Sequence, residues 1–449
     1  MGQYSDARGV PVTAGDRKLV DQLDEAATLF HGYFADPVAA VDRALERDPG
    51  FIMGLALKGG IYATSSEKAA EPVLDEILAR LEPLAAEANA RERGHIRALE
   101  SWRAGRFDAA TEDWGRVLFE YPRDLIALQF AHLGDFLLAQ SLTLRDRTAR
   151  VLHAWDREVP GYGFVLGMWA FGLEESGHYA DAEEAGRAAL DLNPRDPWSV
   201  HAVAHVMEMQ NRVDEGIAWL EGRAADWSPD NLFAFHNWWH LALYQLDRGN
   251  VAAALELYDA RVRPKPSAVV LEMVDASALL WRLMLRGADT GNRWDELADS
   301  WAPNLSDGHY AFNDVHAMMA LVGAARLEEA RRLIAVLEQV AGSATLNGEM
   351  TRLVGLPVAR AFLAFGEGSY EKALDQLMPA LPVAQRHGGS HAQRDVLQQT
   401  ATEAALRSGK RNAARALVSQ RLASKPKSPH NLELARRCGL AGERLASSR

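Results

Sequence analysis

A six-residue turn recurs along this chain and restricts what it can fold into. It has the broad form Gly-x-apolar-x-x-small. It reads GRFDAA at Gly105–Ala110, GHYADA at Gly177–Ala182, NRVDEG at Asn211–Gly216 and GNVAAA at Gly249–Ala254. It returns as ARLEEA at Ala325–Ala330, GSYEKA at Gly368–Ala373 and GKRNAA at Gly409–Ala414. Helix-forming sequence flanks each copy. Pro122, Pro194, Pro229 and Pro264 close successive units, the last three spaced 35 residues apart. Glycine or asparagine at the head of such a turn can adopt the left-handed conformation that ends a helix. The small residue five positions later lets the second helix approach the first, and proline, which cannot continue a helix, marks the exit.

A period of about 34 residues made of two helices and a turn is the tetratricopeptide pattern. The match is good at Gly177–Pro194 and looser elsewhere, with no segment reading as a strand. The fold expected is all-α: a right-handed superhelical solenoid of tetratricopeptide-like helix-turn-helix repeats, about eleven helix pairs around one continuous core. No linker rich in Gly, Ser or Pro divides the chain, so residues 16–435 are expected to form a single helical-repeat domain, with terminal tails at 1–15 and 436–449.

A formal charge of −12 and the lack of any Lys/Arg block argue against a nucleic-acid partner, because phosphate neutralisation needs basic surface. Apolar runs such as GFVLGMWAFGL are too short to span a membrane. The opening MGQYSDARGVPVTAGDRK has no signal-peptide core. The single cysteine, Cys438, permits neither an internal disulfide nor a thiolate metal cluster. A cytoplasmic protein is expected, its oligomeric state open, a homodimer included.

The chemistry is expected at the histidines. HAVAHVMEM begins at His201 and HNWWHLALYQLDRG begins at His236, 35 residues later, so His-x-x-x-His occurs twice at the same phase of the repeat. Counting back from the Asn211 turn puts Val200, Val203 and Met207 on the buried stripe and Ala204 on the small packing position. His201, His205 and Glu208 then share the groove face. The same count from Gly249 sets His236 and His240 near the groove with Trp239 between them. From Ala325 it sets His316 level with His240, with Asn313 and His309 on its stripe. His391 opens a later helix behind Ser390, with Arg394 and Asp395 one turn on.

These segments, with FNDVHAMMALVGAAR and GGSHAQRDV, resemble those of the tetratricopeptide repeat protein 38 family and its bacterial relatives. The resemblance runs over nearly the whole chain. It implies a helical-repeat fold and brings no activity or catalytic residues with it.

Imidazoles at i and i+4 have β-carbons about 6 Å apart, a spacing that can chelate one ion. Helices pack about 8–10 Å apart, so both pairs can face one cavity. His201, His205, His236 and His240 are therefore candidate ligands for zinc or a similar divalent metal. His-Glu-x-x-His is absent, so this is not a zincin by motif. A metal-free reading uses His205, His240, His316 and Glu208 for acid–base chemistry, with tautomers fixed by Glu208, Asp314 or Asp395. Substrate contacts would then come from His201, His236, Trp239, Asn313, His391, Arg394 and Asp395. Against both stands the ordinary role of a half-buried packing histidine. Weaker candidates are His132 with Asp135, Trp169, Trp238, Asp275 (35 residues after His240) and the Gly388–Ser390 loop. The function expected is binding of a small molecule, with hydrolase-type chemistry on it. The alternative is a non-catalytic scaffold holding a peptide or partner protein in the groove.

Overall fold

The computed structural model describes residues 2–440, so the last part of the expected C-terminal tail, from 441, lies outside the described residues. The chain divides into two compact units: Met1–Val203 with Ala224–Ala234, and Ala204–Arg223 with Phe235–Arg449.

The helices follow one another as short-turn pairs. They begin α1 (Arg17–Gly32) with α2 (Pro37–Arg47), α3 (Ile52–Ala63) with α4 (Glu71–Leu81) and α5 (Ala90–Arg103) with α6 (Phe107–Glu120). Next come α7 (Leu125–Leu137) with α8 (Ser141–Leu152), α9 (Tyr162–Glu175) with α10 (Tyr179–Leu192) and α11 (Pro197–Met209) with α12 (Val213–Gly222). After the short α13 (Ala224–Trp227) follow α14 (Ala234–Arg248) with α15 (Val251–Leu257), α16 (Val270–Leu285) with α17 (Arg293–Trp301) and α18 (Ala311–Gly323) with α19 (Leu327–Ala341). The chain ends through α20 (Leu346–Met350), α21 (Leu356–Gly366) with α22 (Tyr370–Ala380), and α23 (His391–Arg407) with α24 (Arg411–Ser424) and α25 (Pro429–Arg437). The fold is all-α and of the tetratricopeptide type. None of the described helices is long and apolar enough to cross a membrane.

All seven recurring turns have one geometry. Their head residues take positive φ: Gly105 71°, Gly177 84°, Asn211 58°, Gly249 89°, Ala325 55°, Gly368 74° and Gly409 72°. Two main-chain bonds close each one. At the Asn211 turn, Asn211 N–H donates to Glu208 O at 3.0 Å and Arg212 N–H to Met207 O at 2.8 Å. This is the Schellman pattern, which satisfies the last carbonyls of the first helix. Ala139 and Gly287 head two more such turns that the sequence pattern does not reveal. The small residue five positions on is fully enclosed at Ala110, Ala182, Ala254, Ala330 and Ala373.

The first unit also holds a feature not expected from sequence. Residues read as an N-terminal tail form an antiparallel hairpin, β1 (Gly2–Ser5) with β2 (Pro11–Ala14), in which Gly2 faces Ala14 and Ser5 faces Pro11. Asp6 closes its turn by accepting from the N–H groups of Arg8 and Val10 at 2.9 and 3.0 Å. Val12 and Ala14 are fully buried, and Thr13 donates through its N–H and hydroxyl to Glu92 at 2.7 and 2.9 Å. Four residues per strand were too few to show a period-two pattern in the sequence.

Candidate functional site

The C-terminal half of α11, from Ala204, belongs with α14 in the second unit. Tyr244, one turn beyond His240 on α14, donates its hydroxyl to the Ala204 carbonyl on α11. Gly216 on α12 leaves room for that ring: a β-carbon there would stand 2.2 Å from Tyr244 Cζ. The two histidine helices are thus pinned at one close approach.

There His205, His236 and His240 converge. The His205 and His240 rings have centroids 4.5 Å apart, and those of His236 and His240 are 4.9 Å apart. One ligating atom from each of these three can be chosen with all three within 4.8 Å of one another, whereas His201 belongs to the first unit. All four histidines are buried, His205 and His240 completely. Trp239 walls the cluster from inside the protein: fully buried, it lies parallel to His236 at 5.3 Å and meets His240 edge-on at 4.9 Å.

Two carboxylates orient the rings. Asp275 on α16 places Oδ2 2.7 Å from His236 Nδ1, and Glu208 places Oε2 3.2 Å from His240 Nδ1. A carboxylate accepts from Nδ1–H, so each ring is held in the tautomer that carries its lone pair on Nε2. Burial, reinforced by the neighbouring His205, pushes His240 down to about 3, so it is the neutral imidazole at ordinary pH. Burial opposes ionisation of Glu208, yet Lys425 and His240 hold its carboxyl well below the usual carboxylate range. Burial pushes the Asp275 carboxyl up while His236 pulls against it.

The remaining candidates fall elsewhere. His316 does not join the cluster: its Nδ1 donates to Phe312 O at 2.7 Å and its ring packs on Phe312 at 4.5 Å. Level position along the repeat did not bring the two together, because His316 makes the i to i−4 bond within its own helix. Asn313 sits one turn earlier on α18, 9% exposed. His391, Arg394 and Asp395, at the head of α23, line a separate cavity of about 470 Å³ that Glu208 and Lys425 also border. Asp395 fixes no histidine tautomer; its partners are Arg421, at 2.6 Å, and the Gln399 amide, also at 2.6 Å. Ser390 caps α23 by accepting from Gln393 N–H in a reciprocal capping box. In the first unit, His132 and Asp135 do not act as a pair, since Asp135 takes both Arg147 Nε and Nη2, at 2.6 and 3.1 Å. His201 packs among Phe171, Trp198 and Phe233 there, with centroids 5.1–5.3 Å away.

No family model matches the chain. Among solved structures, the human IFIT1 dimer with PPP-AAAA is 14% identical, with a TM-score of 0.37 and 96% of each chain covered. The APC/C hetero-tetramer Cut9–Hcn1 is 13% identical, with a TM-score of 0.34 over 95% of this chain and 96% of that one. Likenesses this loose carry no argument about function.

Sequence reasoning missed several residues around the site. Asp275 stood out only by its distance from His240. Lys425, Arg282 and Arg286 gave no signal, being single basic residues distant in sequence from the histidines.

Proposed function

We propose that this protein binds one divalent first-row metal ion, zinc or a close neighbour, through His205, His236 and His240 of the second unit, and uses it on a small molecule. The observation that carries the reading is the donor set: three buried imidazoles within 4.8 Å of one another, two of them backed at Nδ1 by carboxylates. Imidazole nitrogen suits zinc, iron, nickel and copper, and a carboxylate behind a ligating histidine is the usual outer support. Glu208, held ionised by its neighbours, also places negative charge beside the histidines. Three imidazoles would leave at least one position of such an ion open. Such an ion would supply Lewis-acid and water-activating chemistry, which suits the hydrolase-type reaction taken as the default because it needs no further cofactor. The chain would be a relative of the tetratricopeptide repeat protein 38 family working in a reducing compartment.

Elemental analysis of protein purified without a His tag tests this. One equivalent of metal is expected in the wild type. In His205→Ala it should be lost, with a lower unfolding temperature, because a ligand bound only by the native state stabilises it. Metal-free wild type after growth with added zinc, iron and manganese overturns the reading. Loss of turnover in His205→Ala would then point to metal-free acid–base chemistry, and unchanged behaviour to a peptide-holding scaffold.

A further inference from the structure

Among the described residues, the second unit holds two guanidinium groups with no carboxylate at ion-pair distance. Arg282 is 2% exposed on α16, and Arg286 lies one turn further. Guanidinium stays charged in proteins, and a buried charge without an opposite partner is strongly disfavoured. Two other buried arginines of this unit are paired. Arg421 meets Asp395 at 2.6 Å, and Arg263 takes both oxygens of Glu296 at 2.7 and 2.8 Å. Arg282 instead donates to main-chain oxygens, Ala278 O at 3.0 Å and Ala392 O at 2.8 Å, and Arg286 donates to Leu246 O. Among the described residues neither has a carboxylate within ion-pair distance. The Nε of Arg286 and the side-chain oxygen of Gln399 are buried without a hydrogen-bond partner.

Both guanidinium groups border a small chamber of about 40 Å³, whose wall includes Gln399, Arg421 and Lys425. That is room for a compact group of a few heavy atoms. Ala392, Asp395, Arg421, Lys425 and Glu208 also border the neighbouring cavity of about 470 Å³, which has the size of a small-molecule site. Around the two spaces stand five fixed cations, with Arg394 as the fifth, against the three carboxylates Glu208, Asp247 and Asp395. Such a cationic excess, in a chain whose net charge is −12, marks a place built for negative charge.

We infer that this double cavity binds a small organic dianion, its phosphate or paired carboxylates in the inner chamber against Arg282, Arg286 and Lys425 and its body in the outer one. Planar guanidinium groups recognise such oxyanions through parallel N–H···O bonds. The bound anion supplies the missing counter-charge. It also draws on Lys425, whose Nζ now lies 3.4 Å from Glu208 Oε1. This site is independent of the metal, so protein stripped by a chelator keeps it.

The test is thermal unfolding of the full chain, chelator-treated and metal-loaded, titrated with inorganic phosphate and with malonate at constant ionic strength set by chloride. A saturable rise in unfolding temperature is expected with at least one of the two in both preparations, and which anion acts distinguishes phosphate from dicarboxylate ligands. Arg282→Met should lose the response while remaining at least as stable as ligand-free wild type, because an unbalanced buried charge is gone. Arg286→Gln, a milder change, should weaken the response at least tenfold. The inference is overturned if neither anion exceeds the chloride control. It is equally overturned if both variants keep the wild-type response.

Discussion

Gly216 offers a quantitative test of how the two histidine helices are held. It is the small residue of the Asn211 turn, at a position where the other six turns carry alanine. Replacing a glycine inside a helix by alanine ordinarily stabilises by about 0.8–1 kcal/mol. Here the added β-carbon would lie 2.2 Å from Tyr244 Cζ and 2.6 Å from both Cε atoms. The Tyr244 ring is 2% exposed and tied through its hydroxyl to the Ala204 carbonyl, so it cannot yield without giving up that bond. Overpacking a dense core costs about 1–3 kcal/mol, and a lost hydrogen bond about 0.5–1.5 kcal/mol. The clash therefore outweighs the helix gain, and Gly216→Ala should destabilise by about 1–3 kcal/mol. Urea unfolding should show a lower midpoint at unchanged slope. In a Tyr244→Ala background the obstacle is gone, and the same substitution should become neutral or favourable. A Gly216→Ala midpoint equal to or above wild type refutes the packing argument. So does an equal loss in both backgrounds.

Two further expectations follow from the same contacts. Asp275→Asn removes the carboxylate behind His236 and should weaken metal binding by about 10–100-fold; competition against a chromophoric chelator reads this directly, and unchanged affinity removes Asp275 from the outer support. Burial, with some help from Arg147, pushes His132 down to about 3, below its unfolded value near 6.5. Its contribution to stability is therefore complete above pH 6.5 and is lost as pH falls toward 3, at about 1.4 kcal/mol per pH unit. His132→Leu should flatten the stability profile between pH 6 and 4 by about that slope, and parallel profiles for the two proteins would contradict it.

The turns were the most legible part of this molecule because their geometry is local. A left-handed residue, two main-chain bonds and a small residue lie within ten positions, so Gly177 and Asn211 announce themselves. Ala139 does not, since nothing in its side chain signals positive φ. The histidine faces were legible for a similar reason, as α-helix periodicity decides which residues share a side. What periodicity cannot supply is depth or partner. His316 has the right phase but bonds to its own helix at Phe312. Arg282 looks like any solvated arginine until the chain folds around it. The hairpin was missed because its strands are four residues each and its anchor, Glu92, lies far away in sequence.

Glu208 reaches His240 with one oxygen and Lys425 with the other, and Lys425 lies 217 residues further along the chain. Ribosomes add about 5–20 residues per second, so roughly 10–40 s separate the synthesis of these two groups. Throughout that interval the carboxylate stands beside its histidines without its ammonium partner. The histidine helices therefore emerge first, whereas the electrostatic setting of Glu208 is completed only once Lys425 has been made. A nascent or truncated chain ending before α24 would present the histidines in a different electrostatic state from the finished protein. The carboxylate thus distinguishes a chain that has reached Lys425 from a shorter one that shares its histidines.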